Sequence, residues 1–299
     1  MNIFITGGTG LIGSKLISDL LLEGHTVTAL SRNIQKAEAI LGSHIKYYDS
    51  LEKLTSLDGY DAIINFAGEP IATKQWTAIQ KQRLCQSRWQ ITKKLSQLIK
   101  AGENPPQIFI SGSAIGYYGN KEDTIITEDT EPHEEFTNKL CKSWEAFAME
   151  AKSNKTRVCL LRTGIVLSTE GGMLAKILPI FKLGVGSILG SGNQYISWIH
   201  IKDVISIIKY ILATPQIEGA VNMTAPTPVT NKEFSKSLAK VLHRPCLFKV
   251  PAALISLFMG EASTLLLDGQ RAIPKKLEEN GYQFKFRDIT STFIDILKD

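Results

Sequence analysis

Four glycines fall within eight residues near the amino end, in Thr6-Gly7-Gly8-Thr9-Gly10-Leu11-Ile12-Gly13. A short apolar run, Ile3-Phe4-Ile5, precedes them, and Ser14 to Leu22 follows as an amphipathic stretch. That order reads strand, glycine turn, helix, the setting in which a Gly-x-Gly-x-x-Gly pattern binds a dinucleotide. Gly7 and Gly8 permit the tight turn. Gly10 lets the main chain approach a pyrophosphate, and Gly13 lets the helix pack close to the strand. The free N–H groups of the helix start, at Leu11, Ile12 and Gly13, then face the phosphates. The second apolar run, His25 to Leu30, ends in Ser31-Arg32. An acid there would hold the adenosine ribose of NAD. A hydroxyl beside a guanidinium suits the 2′-phosphate of NADP(H) instead.

These residues need a sheet to hold them. Short apolar runs at Ile3–Thr6, Val27–Leu30, Ile45–Tyr48, Ala62–Ala67, Gln107–Ser111 and Val158–Leu161 predict six strands. A helix is predicted from about Ala78 to Lys100, stopped by Asn104-Pro105-Pro106. Alternating strands and helices predict an α/β fold, a Rossmann-type doubly wound parallel sheet with its ligand crevice at the carboxyl ends of the strands. Residues 1–165 would form this core. Residues 166–299, with helices predicted at Lys202–Ala213 and Asn231–His243, would form a small, interleaved C-terminal lobe over the crevice. The apolar stretch from Ala252 to Leu267 is too short for a membrane span and predicts a buried helix pair.

Composition narrows the function. Of 299 residues, 43% are hydrophobic, enough for a large core. The net charge of +5 is spread thinly, with no dense basic run, which argues against nucleic acid as a partner. Cys85, Cys141, Cys159 and Cys246 are too far apart for a zinc or redox motif, so no metal is expected, and reduced thiols fit a cytoplasmic protein. No membrane association is expected.

The segment Ile110-Ser111-Gly112-Ser113-Ala114-Ile115-Gly116-Tyr117-Tyr118-Gly119, taken with the glycine turn and with Asn65-Phe66-Ala67-Gly68, resembles the extended short-chain dehydrogenases/reductases. The resemblance implies that Ser113 is the serine that hydrogen-bonds a substrate carbonyl or hydroxyl. It also implies a Tyr-x-x-x-Lys on the next helix, and that pair is missing. Aligned on Glu145, the tyrosine position falls at Thr137 and the lysine position at Cys141. A threonine hydroxyl is too weak an acid to replace the phenol unaided.

With Ala67-Gly68-Glu69-Pro70-Ile71, Trp144-Glu145, Trp198-Ile199-His200-x-x-Asp203 and Pro274…Gly281-Tyr282-x-Phe284, the chain is similar to the atypical epimerase family, the 39U type, often labelled nucleoside-diphosphate-sugar epimerases. The likeness runs from residue 2 to about residue 297. It implies NADP(H) contacts from the glycine loop, Ser31, Arg32, Phe66, Ala67, Gly68 and Arg88, with Arg83 on the same helix. Arg162 to Val166 would flank the nicotinamide, and Val166 would touch it through its backbone.

Several readings stay open. Arg88 is either a cofactor ligand or part of a solvated helix face. Tyr117 or Tyr118 either replaces the lost phenol or packs beside the turn. His200 is either a general acid/base or a residue that orders the lobe. Arg271 either holds an anionic substrate or caps a helix, and Glu69 is a ligand or a plain loop carboxylate. The expectation is an NADP(H)-dependent oxidoreductase or epimerase, monomer or homodimer, acting on a small carbonyl, alcohol or nucleotide-sugar. The alternative is a catalytically silent, NADP(H)-responsive regulatory protein.

Overall fold

The computed structural model describes residues 1–298. Its first half runs β1 (Asn2–Thr6), α1 (Leu11–Leu22), β2 (Thr26–Leu30), α2 (Ile34–Leu41), β3 (Lys46–Tyr48), β4 (Ala62–Asn65), α3 (Ala78–Lys100) and β5 (Ile108–Ala114). The short β6 (Ile125–Ile126), α4 (Phe136–Met149) and β7 (Arg157–Thr163) follow. Seven strands form one parallel sheet in the order β12-β7-β5-β4-β1-β2-β3, with β12 at Gly219–Met223. The predicted doubly wound α/β sheet is present, and its edge strand comes from well beyond residue 165.

The sheet is buried on both faces, which is why its strands are apolar without alternation. β4 is buried at all four residues. On one face α1 packs through Gly13, Leu16, Ile17 and Leu20, the spacing of a single helix stripe. On the other face Leu95, Leu98 and Ile99 of α3 pack with Phe4, Ile63 and Phe109. Thr77 caps α3 by accepting a hydrogen bond from the Gln80 N–H at 3.2 Å.

β4 stops at Asn65, two residues before the predicted end. The Asn65 Oδ1 accepts hydrogen bonds from the Thr6 hydroxyl at 2.6 Å and the Ala67 N–H at 3.3 Å, which turns the chain at the carboxyl edge of the sheet.

The second half contains β8 (Ile165–Leu167), α5 (Gly172–Lys182), β9 (Ser187–Leu189), β10 (Tyr195–Ile196), β11 (Trp198–His200) and α6 (Ile201–Ala213). After β12 come β13 (Val229–Thr230), α7 (Asn231–Val241), β14 (Phe248–Val250), α8 (Ala252–Met259), α9 (Thr264–Leu267), β15 (Arg271–Ala272), α10 (Lys275–Glu279) and α11 (Ile289–Ile296). Trp198, Phe234 and Phe293 form a separate core for this lobe. The Asp203 carboxylate ties the C-terminal segment down by accepting the N–H groups of Lys285 and Phe286 at 3.1 and 3.0 Å.

The apolar stretch at 252–267 does fold as helices, but it is not a buried pair. In α8 only Ile255 is buried, while Leu257 and Phe258 are 73% and 74% exposed. The segment is held at one side by contacts with the start of α3. Gln75 donates to the Phe258 carbonyl at 2.8 Å, and Lys81 pairs with Glu261. Among the segment's last residues, Thr264 and Leu265 line the cleft described next.

Candidate active site

The carboxyl edge of the sheet carries two adjoining features. The first is the glycine turn. Gly7 has φ +72°, and a Cβ there would stand 2.6 Å from the carbonyl carbon of Phe66, so the turn and the loop after β4 meet at the switch point between β1 and β4. A Cβ at Gly13 would lie 2.4 Å from the Gly7 carbonyl oxygen. Gly10 differs: its added Cβ would meet only the Gly7 oxygen, at 3.3 Å, and the residue is exposed. Gly10 is also the N-cap of α1 and places no side-chain acceptor on the helix's first N–H groups, those of Leu11, Ile12 and Gly13. These residues fit the pyrophosphate of a dinucleotide. Ser31 and the exposed Arg32 follow β2 on the same edge, with the Ser31 hydroxyl bonded to the Asn33 carbonyl at 3.0 Å.

The second feature is a cleft of about 270 Å³ at the ends of β5 and β7. Ser113 lines it, and so do Thr137, Cys141 and Trp144 from α4. Thr163, Gly164 and Ile165 form the wall after β7, and Thr264 and Leu265 of α9 close the far side. Thr137 and Cys141 thus stand where the register with Glu145 placed the tyrosine and lysine of the resemblance. Neither is an acid of the needed strength. Burial pushes the Cys141 thiol up to about 12.

Two hydroxyls in the cleft are bonded to glutamates. Ser113 donates to Glu145 Oε1 at 2.6 Å. Glu145 is held in turn by Arg162 through a two-pronged ion pair, Nε to Oε1 and Nη2 to Oε2, both at 2.9 Å. Burial alone would lower the Arg162 guanidinium, but the hydrogen bond and charge of Glu145 outweigh it and raise it. Both members are nearly sealed from water. Thr137 donates to the Glu135 carboxylate, which also accepts the Asn120 N–H at 3.3 Å. Near Glu135 lies Asp268. Burial first, then the Glu135 charge, push that carboxyl above its ordinary range.

Glu135, Glu145 and Asp268 were not singled out from sequence as site residues. One signal for Glu145 was available: Thr137, Cys141 and Glu145 recur every four residues and so share a helix face.

Other predicted residues fall elsewhere. Arg88 is not solvated. It lies over Gly68, donates to the carbonyls of Leu84 at 3.0 Å and Glu69 at 2.9 Å, and lines the cleft. Arg83 is exposed, because five residues along α3 turn it away from the face of Arg88. Glu69 stands 3.8 Å from Lys74. Arg162, which the resemblance sets beside the nicotinamide, is buried and does not line the cleft. Val166 is half-buried in β8 and is not part of the cleft wall.

Tyr117 is also outside the wall, its ring under the Arg162 guanidinium at 3.5 Å. Tyr118 is fully buried between Arg162 and Asn222, and burial pushes its phenol up to about 12. Arg271 stacks on Tyr195, 4.8 Å from the ring centroid. No described Tyr lines the cleft. Among the described residues no His/Cys/Asp/Glu group could hold a metal ion.

His200 lies apart from the Ser113 cleft. It is 1% exposed, stacks on Phe286 with centroids 3.8 Å apart, and caps α6 by accepting the Lys202 N–H at 2.9 Å through Nδ1. Its Nε2 faces Asp295 at 3.2 Å, away from the Ser113 cleft. Burial pushes the imidazole down to about 4, against the pull of Asp295 and with the push of Lys202 and Lys285. The unfolded chain, with an ordinary imidazole near about 6.5, binds this proton first as pH falls. Stability should therefore drop between about pH 6.5 and 4, by up to roughly 1.4 kcal/mol per pH unit. Thermal melts across that range should show a shallower slope for His200→Asn, which keeps the cap but cannot titrate; equal slopes would refute this account.

Comparison with known proteins gives the family of the chain. Residues 3–223 match the NAD dependent epimerase/dehydratase family, and residues 250–296 match DUF1731, a domain of unknown function. The Arabidopsis thaliana epimerase family protein SDR39U1 homolog, chloroplastic, is 35% identical over 96% of this chain and 84% of its own length. The Bacillus subtilis epimerase family protein YfhF is 34% identical over 100% of this chain and 99% of its own. A crystal structure of the human epimerase family protein SDR39U1 (isoform 2) with NADPH superposes at a TM-score of 0.92 and 30% identity, covering 100% of both chains. The chain belongs to the NAD dependent epimerase/dehydratase family, alongside the SDR39U1-type epimerase family proteins.

Proposed function

We propose that this chain binds NADP(H) across the glycine turn and Arg32, and acts as an oxidoreductase or epimerase on a carbonyl or alcohol carbon held over Ser113. The observation that carries the reading is the continuity of the carboxyl edge. Gly7 meets Phe66, Gly68 meets Arg88, and Arg88 lines the cleft in which Ser113 lies. The NADPH crystallised with the human relative supports the choice of cofactor. The four free cysteines suit a reducing compartment such as the cytoplasm.

NADPH, when bound, supplies a hydride to the carbonyl carbon. The chain must then orient the substrate oxygen and provide one proton to it. Ser113 donates its hydrogen bond to Glu145, so its lone pairs are free to accept from a substrate hydroxyl. Arg162, bonded to both oxygens of Glu145, fixes that side chain and so keeps Ser113 in that orientation. The proton path we propose is a relay: as the Thr137 hydroxyl gives its proton to the substrate oxygen it takes one from Glu135, which has first picked that proton up from solvent, so Thr137 never acts as the acid unaided. In the direction of alcohol oxidation the same two groups accept the proton. Tyr117 and His200 take no part.

The regulatory alternative draws on one observation, that Thr137 and Cys141 stand where the Tyr and Lys should be. Turnover decides between them. A first test is a fluorescence titration with NADPH and NADH on the native chain and on Arg32→Ala. Losing a charge-assisted contact to the 2′-phosphate costs about 1.5–3 kcal/mol, so NADPH should bind roughly 10–100-fold more weakly to the variant. NADH affinity should not change. Equal loss for both nucleotides would remove Arg32 from the 2′-phosphate site, and no binding of either would end the cofactor reading.

A further inference from the structure

We propose that the substrate is a small, uncharged aldehyde or ketone with an apolar body, or the matching alcohol, and that the cleft does not accept nucleoside-diphosphate sugars. This rests on the hydride-transfer reading of the cleft and narrows it to a substrate class.

Size is the first argument. The cleft holds about 270 Å³, and a side lobe toward Gln194 and Asn231 adds about 40 Å³. Pockets for drug-sized ligands span roughly 300–1,000 Å³, and the two volumes together reach only the lower end of that range, which suits a small molecule better than a nucleotide-linked sugar. The second argument is the wall. It is more apolar than polar, with Ile71, Ile115, Leu140, Trp144, Ile165 and Leu265 among its residues. Such a wall gains free energy by covering apolar surface and loses it by stripping water from polar groups.

Charge is the third and strongest argument. A diphosphate carries two negative charges and needs forked guanidinium groups, ammonium groups or an uncapped helix start. Among the described residues Arg88 is the only Lys or Arg in the cleft wall. Its Nη1 and Nη2 already serve the carbonyls of Leu84 and Glu69. The helix that opens onto the cleft, α4, has an acid, Glu135, as its N-cap residue. Asp268 of the side lobe adds a second carboxyl close to Glu135. Two acids and no free cation repel a diphosphate but leave a neutral carbonyl unaffected. The polar groups that remain, Ser113, Thr137, Thr163, Thr264 and Gln270, can position a single oxygen.

The test uses the full chain loaded with NADPH or NADP⁺. NADPH affinity is measured first, by fluorescence, so that failure of the cofactor reading is seen on its own. NADPH consumption is then followed with benzaldehyde, hexanal, cyclohexanone and acetophenone, and in parallel with oxidised UDP-glucose (UDP-4-keto-glucose). Binding of benzyl alcohol, UDP and UDP-glucose to the NADP⁺-loaded chain is measured by calorimetry. The expected result is turnover or binding with a neutral probe and none with any UDP compound at the same concentration. Leu265→Trp, which fills the cleft from α9, should weaken the neutral probe at least tenfold. A UDP compound that binds or reacts as well as the neutral probes overturns the proposal. So does a chain that binds NADPH but none of the neutral probes at millimolar concentration, or an unaltered response in Leu265→Trp.

Discussion

Gly13→Ala should abolish NADPH binding and lower the melting temperature together. The added Cβ would stand 2.4 Å from the Gly7 oxygen and 2.8 Å from the Gly8 Cα, and both are backbone atoms that no rotamer change can move. Relief requires α1 to shift away from β1, which opens the packing of Leu16 and Ile17 and dismantles the phosphate turn at once. Overpacking of this kind costs about 1–3 kcal/mol and sometimes more. A loss of at least 100-fold in NADPH affinity is expected.

Gly10→Ala is the matched control. Its Cβ meets only one atom, at 3.3 Å, so the fold should stand. The methyl group would project where the pyrophosphate must approach, so NADPH should still bind more weakly. Calorimetry and thermal melting on the two variants separate loss of the ligand site from loss of the fold. If Gly13→Ala binds NADPH as the native chain does, the turn is not the phosphate site.

Arg162→Ala is expected to be the most destabilising change around the cleft. It would leave the Glu145 carboxylate buried without its partner, and breaking such a pair costs about 3–5 kcal/mol. It would also free the Tyr118 hydroxyl and the Glu128 carbonyl from their bonds to Nη1 at 2.9 and 3.0 Å. Replacing both charges, as Glu145→Leu with Arg162→Met, should recover much of that loss, because two apolar groups leave no unpaired charge behind. Urea denaturation midpoints of the single and double variants measure the difference. A single-variant loss under about 1 kcal/mol would mean that the pair is screened by water and does not fix Ser113.

The two predictions differ in how far the sequence alone foretold them. The glycine turn was legible because everything it needs is contiguous: strand, turn and helix follow one another, and backbone sterics set the spacing of Gly7, Gly10 and Gly13. The doubly wound sheet was legible for a related reason, since strands buried on both faces must be apolar throughout. The register of α4 against Glu145 placed Thr137 and Cys141 at the cleft, because a helix repeats every 3.6 residues wherever it packs. The predicted strand ends were less accurate. Asn65 stops β4 through a hydrogen bond to Thr6, a residue 59 positions away.

By itself, then, the sequence determined the sheet, the glycine turn, the Ser31-Arg32 pair and the absence of a Tyr-x-x-x-Lys. All of these rest on local geometry or on residue identity. Only the tertiary structure decided which charges meet. Arg162 and Glu145 come from a strand and the helix just before it, and only the packing of the two brings their side chains face to face. Arg88 folds back onto Gly68, His200 is buried against Phe286 and Asp295, and the apolar face of α8 is left outside. An ionisable side chain takes its role from its neighbours and its burial, and long-range packing sets both.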